Sequence, residues 1–121
     1  LAIWQRYLRE FADLPIGLPA PLPSDERHAL HLFILQIDRA RCGVTRDQML
    51  VRLHQQNIGT GVHYRAIPNL SVYRQRFGWR PEDYPVATAI GDRTLSLPLS
   101  AKLTDDDVTD VVRAVRQALG A

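Results

Sequence analysis

A histidine, a tyrosine and an arginine stand in a row at His63-Tyr64-Arg65, directly after the run Gly59-Thr60-Gly61-Val62. Imidazole, phenol and guanidinium all form hydrogen bonds, and a guanidinium pairs bidentately with phosphate. Side by side after a sharp turn, they suit a polar, phosphorylated ligand. A strand end whose polar side chains meet water accounts for the same three residues, and on residue types alone it is the stronger account. Gly59-Thr60-Gly61 lacks the further glycine and the lysine of a phosphate-cradling loop, so its simplest role is to let the chain turn between a helix and a strand.

Other chemistry is thinly represented. The histidines His28, His31, His54 and His63 are not accompanied by a second cluster of metal ligands, which argues against zinc. No Ser-His-Asp signature, Gly-x-Ser-x-Gly elbow or P-loop is present. The acidic run Asp105-Asp106-Asp107 falls where a helix begins, and the helix dipole favours negative charge there. Tyr73, Arg74, Arg76, Phe77, Trp79 and Arg80 mix aromatics with arginine. That mixture stacks on single-stranded nucleic acid in some proteins, but a helix with one apolar and one solvated face explains it better at a net charge of only +2. Lys102 is the one lysine among 15 basic residues.

The elements that must position these groups follow from the apolar spacing. Trp4, Tyr7, Leu8 and Phe11 recur at i, i+3, i+4 and i+7, which predicts an amphipathic helix over 1–13 whose aromatic face must pack on something. Pro15, Pro19, Pro21 and Pro23 make the next stretch an extended connector. Phe33, Leu35 and Ile37 alternate as in a strand over 31–38, with Leu32 and Ile34 on its other face. Thr45 and Gln48 have capping-box spacing, with Val44 and Met49 placed as a hydrophobic staple, and Gly59 is the expected stop of that helix. A strand over 61–64 and helices over 69–77 and 84–93 follow. Leu95, Leu97 and Leu99 then predict a strand over 94–99 that ends or lies at an edge near Pro98. Thr104 and Asp107 open the last helix, striped by Val108, Val111, Val112, Val115 and Leu119. The order implies an α/β (α+β) fold, with a small antiparallel or mixed sheet of about three strands covered by helices.

With 121 residues and 45% hydrophobic content, the chain has material for one small core. Cys42 is the only cysteine, so no internal disulfide forms, which suits the cytoplasm. No apolar run approaches the roughly 20 residues of a membrane helix. The chain opens at Leu1, already inside a helical pattern, and we expect residues before it in the parent protein.

Taken in order, the motifs form a recognisable set. His31-Leu32-Phe33-Ile34 leads to Asp38-Arg39-Ala40-Arg41-Cys42-Gly43. Asn57-Ile58-Gly59-Thr60-Gly61-Val62-His63-Tyr64-Arg65 and Val72-Tyr73-Arg74-Gln75-Arg76-Phe77 follow. Leu95-Ser96-Leu97-Pro98-Leu99 and Leu103-Thr104-Asp105-Asp106-Asp107 close the set. From about Ala2 to Ala118 this resembles the C-terminal domain of the DegT/DnrJ/EryC1/StrS sugar aminotransferases, which are pyridoxal-phosphate enzymes of fold type I. The stretches Ala40-Arg41-Cys42-Gly43 and Gly59-Thr60-Gly61 most resemble the UDP-4-amino-4-deoxy-L-arabinose–oxoglutarate aminotransferases.

The resemblance implies a division of labour. The cofactor lysine and the pyridoxal contacts belong to a large N-terminal domain expected before Leu1, so Lys102 is not assigned as catalytic and this chain alone is expected to be inactive. Residues 1–14 would join that domain, 15–30 form a proline-rich linker, and 31–121 make the small domain. His63 and Tyr64 match a His-Tyr pair near the sugar, and Arg65 is a nucleotide-sugar contact or a pocket wall. The implied reaction moves an amino group from glutamate to the C4 ketone of a UDP-4-keto-pentose for lipid A modification, in a cytoplasmic homodimer with no nucleic-acid or membrane partner. A UDP- or dTDP-4-keto-6-deoxy hexose is the alternative substrate. A free-standing ligand-binding module is the alternative of another class, and the aromatic face of the first helix argues against it because that face wants a partner.

Overall fold

The computed structural model describes residues 1–21 and 25–120. Pro23, part of the proline-rich stretch, and Ala121 lie outside them. The elements are α1 (Ala2–Glu10), β1 (Phe33–Gln36), α2 (Arg39–Cys42), α3 (Arg46–His54), α4 (Ser71–Phe77), α5 (Pro85–Arg93), β2 (Thr94–Leu97) and α6 (Asp105–Leu119), with 3₁₀ turns at Ile67–Asn69 and Pro81–Asp83.

β1 and β2 pair antiparallel, with Phe33 opposite Leu97 and Leu35 opposite Leu95. Those four side chains share the face that looks into the core. Single bridges widen the sheet on both sides, Gly17 to Gln36 and Gly61 to Ser96. The expected strand over 61–64 is therefore only a one-residue bridge. The chain leaves the ladder at once because the carbonyl of His63 is taken by a side chain, the Thr94 hydroxyl, rather than by a strand neighbour.

α1 and its C-cap residue Phe11 lay three rings over Phe33: Trp4, Tyr7 and Phe11, at centroid distances of 4.8, 5.0 and 6.4 Å. The aromatic face thus finds its partner inside this chain, and it no longer argues against a free-standing module. α6 packs its valine stripe on the same core, with Val108, Val111, Val112 and Val115 buried. A polar seam ties α1 to α6: Arg116 donates to Asp13 (2.6 and 3.1 Å) and to the Glu10 carbonyl (2.8 Å).

Both capping boxes form. The Thr45 side chain accepts from the Gln48 amide and the Thr104 side chain from the Asp107 amide, while Gln48 and Asp107 reach back. The end of α3 differs from expectation. Asn57, not Gly59, takes the left-handed conformation, at φ 60°. The amides of Asn57 and Ile58 bond back to the carbonyls of His54 and Leu53, the paired closure of a Schellman turn. Asparagine tolerates that conformation because its short polar side chain adds little steric cost.

Tyr7 is fully buried, and its hydroxyl donates to the Pro98 carbonyl at 3.0 Å. Burial pushes its phenol up to about 12 from 10.0, against a smaller lowering by Arg6. The unfolded chain ionises first, so Tyr7's contribution is complete below pH 10 and is lost as pH rises from there toward 12. At about 1.4 kcal/mol per unit, the fall is about 2–3 kcal/mol. Urea unfolding at pH 9 and at pH 12 should show it, and Tyr7→Phe should remove that portion of the alkaline loss.

Candidate functional site

β2 alternates its faces. Leu95 and Leu97 enter the core, and Thr94 and Ser96 point the other way. That second face is not solvated. Thr94 is 1% exposed and Ser96 4%, because the segment that follows Gly61 lies over them. Main-chain bonds fix the crossing: the Gly61 amide donates to Ser96 O at 3.2 Å, and the Ser96 amide donates to Gly61 O at 2.9 Å.

The two hydroxyls then hold His63. Ser96 Oγ lies 2.6 Å from His63 Nδ1, and Thr94 Oγ1 donates to the His63 carbonyl at 3.1 Å. Gly61 makes room, since a Cβ there would stand 2.5 Å from His63 Cε1 and 3.0 Å from Nδ1. Tyr64, joined to His63 by a cis peptide bond, sets its ring edge-on to the imidazole at 5.0 Å. Its side chain is otherwise open, with the residue 71% exposed. A half-buried imidazole is thus fixed from beneath while a phenol stands free beside it. Such a pair hydrogen-bonds a polyhydroxylated ligand and offers an aromatic surface to its apolar face.

The structure brings His63 and Tyr64 together. Arg65 is exposed and makes no ion pair among the described residues. Thr94, Ser96 and Gly61 are the residues that sequence reasoning missed. The available signal was the choice of small hydroxylated residues, rather than charged ones, on the second face of β2. The Tyr73 to Tyr84 region forms a run of stacked rings: Tyr73 stacks on Phe77 and Trp79 at 5.8 and 5.6 Å, and Trp79 meets Tyr84 at 5.6 Å.

A family sequence model for the DegT/DnrJ/EryC1/StrS aminotransferases matches residues 1–116. The chain belongs to that family. It is 44% identical over 113 residues to the spore coat polysaccharide biosynthesis protein SpsC of Bacillus subtilis, covering 92% of this chain and 29% of SpsC. The fold matches the putative sugar aminotransferase Spr1654 of Streptococcus pneumoniae in its PMP-form, with TM-score 0.87 and 26% identity over 98% of this chain and 30% of that one. It also matches DesI, solved in the presence of its TDP-sugar product, with TM-score 0.81 and 25% identity over 98% of this chain and 30% of that one. The chain therefore spans about 30% of the length of these relatives.

The family is pyridoxal-phosphate dependent, and Spr1654 has also been solved in its PLP-form. The described residues do not themselves fit that cofactor. A pyridoxal site needs an amine for the aldehyde and buried donors around the phosphate. Lys102 sits in an exposed turn after β2, where its own amide donates to Ser100 Oγ at 3.2 Å. The one buried side-chain polar atom left without a partner among the described residues is Asn69 Oδ1, an acceptor that a phosphate cannot use. Nor does any described helix have the length and apolarity to cross a membrane.

Proposed function

We propose that this chain is the sugar-facing small domain of a pyridoxal-phosphate-dependent nucleotide-sugar aminotransferase. Its whole protein moves an amino group from glutamate to the C4 ketone of a UDP-4-keto-pentose on a route to cell-surface polysaccharide or lipid A. The cofactor and its lysine lie outside residues 1–121, in a homodimer. The observation that carries this reading is the His63–Tyr64 pair, with its imidazole anchored by Ser96 and its phenol left free. The chain's residues bind and orient the sugar, so that the ketone carbon is held against chemistry supplied elsewhere. The resemblance of residues 40–43 and 59–61 to the UDP-4-amino-4-deoxy-L-arabinose enzymes supports the pentose.

A dTDP-4-keto-6-deoxy hexose is the second reading, favoured by the likeness to DesI with its TDP-sugar product. Glutamate-dependent amination by the full-length protein, assayed on both nucleotide sugars, separates the two. Tyr64→Ala should lower kcat/KM for the preferred sugar about tenfold, mostly through KM, since it removes a hydrogen bond and an aromatic contact made in the ground state. Amination of neither sugar, or a Tyr64→Ala protein as efficient as the wild type, would remove the reading.

A further inference from the structure

Thr94 and Ser96 are the buried polar residues among those described, and a buried hydroxyl is costly unless its hydrogen bonds are met. Thr94 spends its hydrogen on the His63 carbonyl. Ser96 lies against the imidazole itself, with its Oγ 2.6 Å from His63 Nδ1, so its bonding bears on the ring protons. The Ser96 hydroxyl also lies 3.2 Å from Gly61 O, a carbonyl that can only accept, and in the arrangement where it donates there its single hydrogen is used. The oxygen then has only lone pairs to offer His63 Nδ1 at 2.6 Å. That short contact is favourable only when Nδ1 carries a hydrogen. In the neutral ring the remaining nitrogen, Nε2, is then a bare acceptor. It has no partner among the described residues, and it is not among their buried unpaired atoms, so it is open to an incoming ligand.

We infer that Ser96 is a positioning residue that locks His63 in the Nδ1–H tautomer, so that Nε2 meets the nucleotide sugar as a hydrogen-bond acceptor and selects a sugar with a free hydroxyl donor at that point. The inference rests on the reading that His63 faces the sugar. Ser96 itself lies beneath the ring and acts only through it. Thr94 holds the same segment by its backbone and leaves the ring protons alone.

The test is a long-range proton–nitrogen correlation spectrum of the full-length protein, labelled with ¹⁵N-histidine, at mildly alkaline pH. His63→Gln assigns the signals. In the wild type, Nδ1 should resonate as a protonated ring nitrogen and Nε2 as a bare one. Ser96→Ala should lose that pattern and raise KM for the nucleotide sugar about three- to tenfold. Thr94→Ala should keep the pattern. An Nε2–H tautomer in the wild type overturns the lock, and so does an Nδ1–H tautomer that survives Ser96→Ala. The wild-type spectrum decides even if Ser96→Ala does not fold. A tautomer that switches with no change in KM removes the substrate role of His63, and with it the reading on which the inference rests, while the lock itself stands.

Discussion

Phe33→Ala is expected to destabilise the 121-residue chain by about 3–5 kcal/mol, the range for emptying a buried aromatic site. Phe33 is fully buried, and three rings meet it: Trp4 and Tyr7 of α1, and Phe11 at its C-terminal cap. Among the described residues, no other joins the first helix to the sheet through as many rings. The loss matters because a domain of this size has only about 5–15 kcal/mol of stability in all. Collapse around the gap is limited, since Leu35 and Leu97 on either side are themselves packed and held in register. Phe33→Leu refills much of the volume and should cost less than half as much. Urea unfolding measures both. Trp4 provides a local readout, because it lies between Phe33 and His28, with the His28 ring 4.6 Å from its own. Its emission should shift to the red in Phe33→Ala before the main transition. A cost below about 1 kcal/mol would mean that α1 is held chiefly by its polar seam with α6.

The elements that carry this core were legible for a physical reason: each is specified by residues close in sequence. Thr45 with Gln48 and Thr104 with Asp107 satisfy helix-end amides within one turn, so spacing alone reveals them. The periods of two and of about 3.6 pick out Phe33, Leu35 and Ile37, and the valine stripe of α6. They do not say what covers the other face. Thr94 and Ser96 read as the wet side of a strand, yet the chain 31 to 33 residues earlier returns to bury them. The turn after α3 was misplaced for a related reason. Glycine is the usual left-handed residue, but the Schellman bonds close at Asn57, where the helix hydrogen bonds run out. The His63–Tyr64 pair was visible as residue types, while its anchor was not, because that anchor is a contact across the sheet.

Gly61→Ala should lower kcat/KM of the full-length protein about 10- to 100-fold while costing less than about 1 kcal/mol of stability. The added methyl carbon would stand 2.5 Å from His63 Cε1, 3.0 Å from Nδ1 and 3.1 Å from Ser96 Oγ. All three are side-chain atoms, and the imidazole is able to swing outward. The bridge between Gly61 and Ser96 is made by backbone and can stay. The ring therefore leaves its hydroxyl, and displacing an orienting group by about 1 Å is enough for a loss of that order. Gly91 makes the opposite case. A Cβ there would meet the Ala66 backbone nitrogen at 2.6 Å, and main chain does not step aside, so Gly91→Ala should cost about 1–3 kcal/mol of stability instead. His63→Ala should match Gly61→Ala in activity. The double variant should be no worse than His63→Ala alone, because the glycine acts only through the ring it accommodates. Additive losses in the double variant would show that Gly61 serves the site by a second route, and the tight imidazole contact would then not be the reason glycine stands at that position.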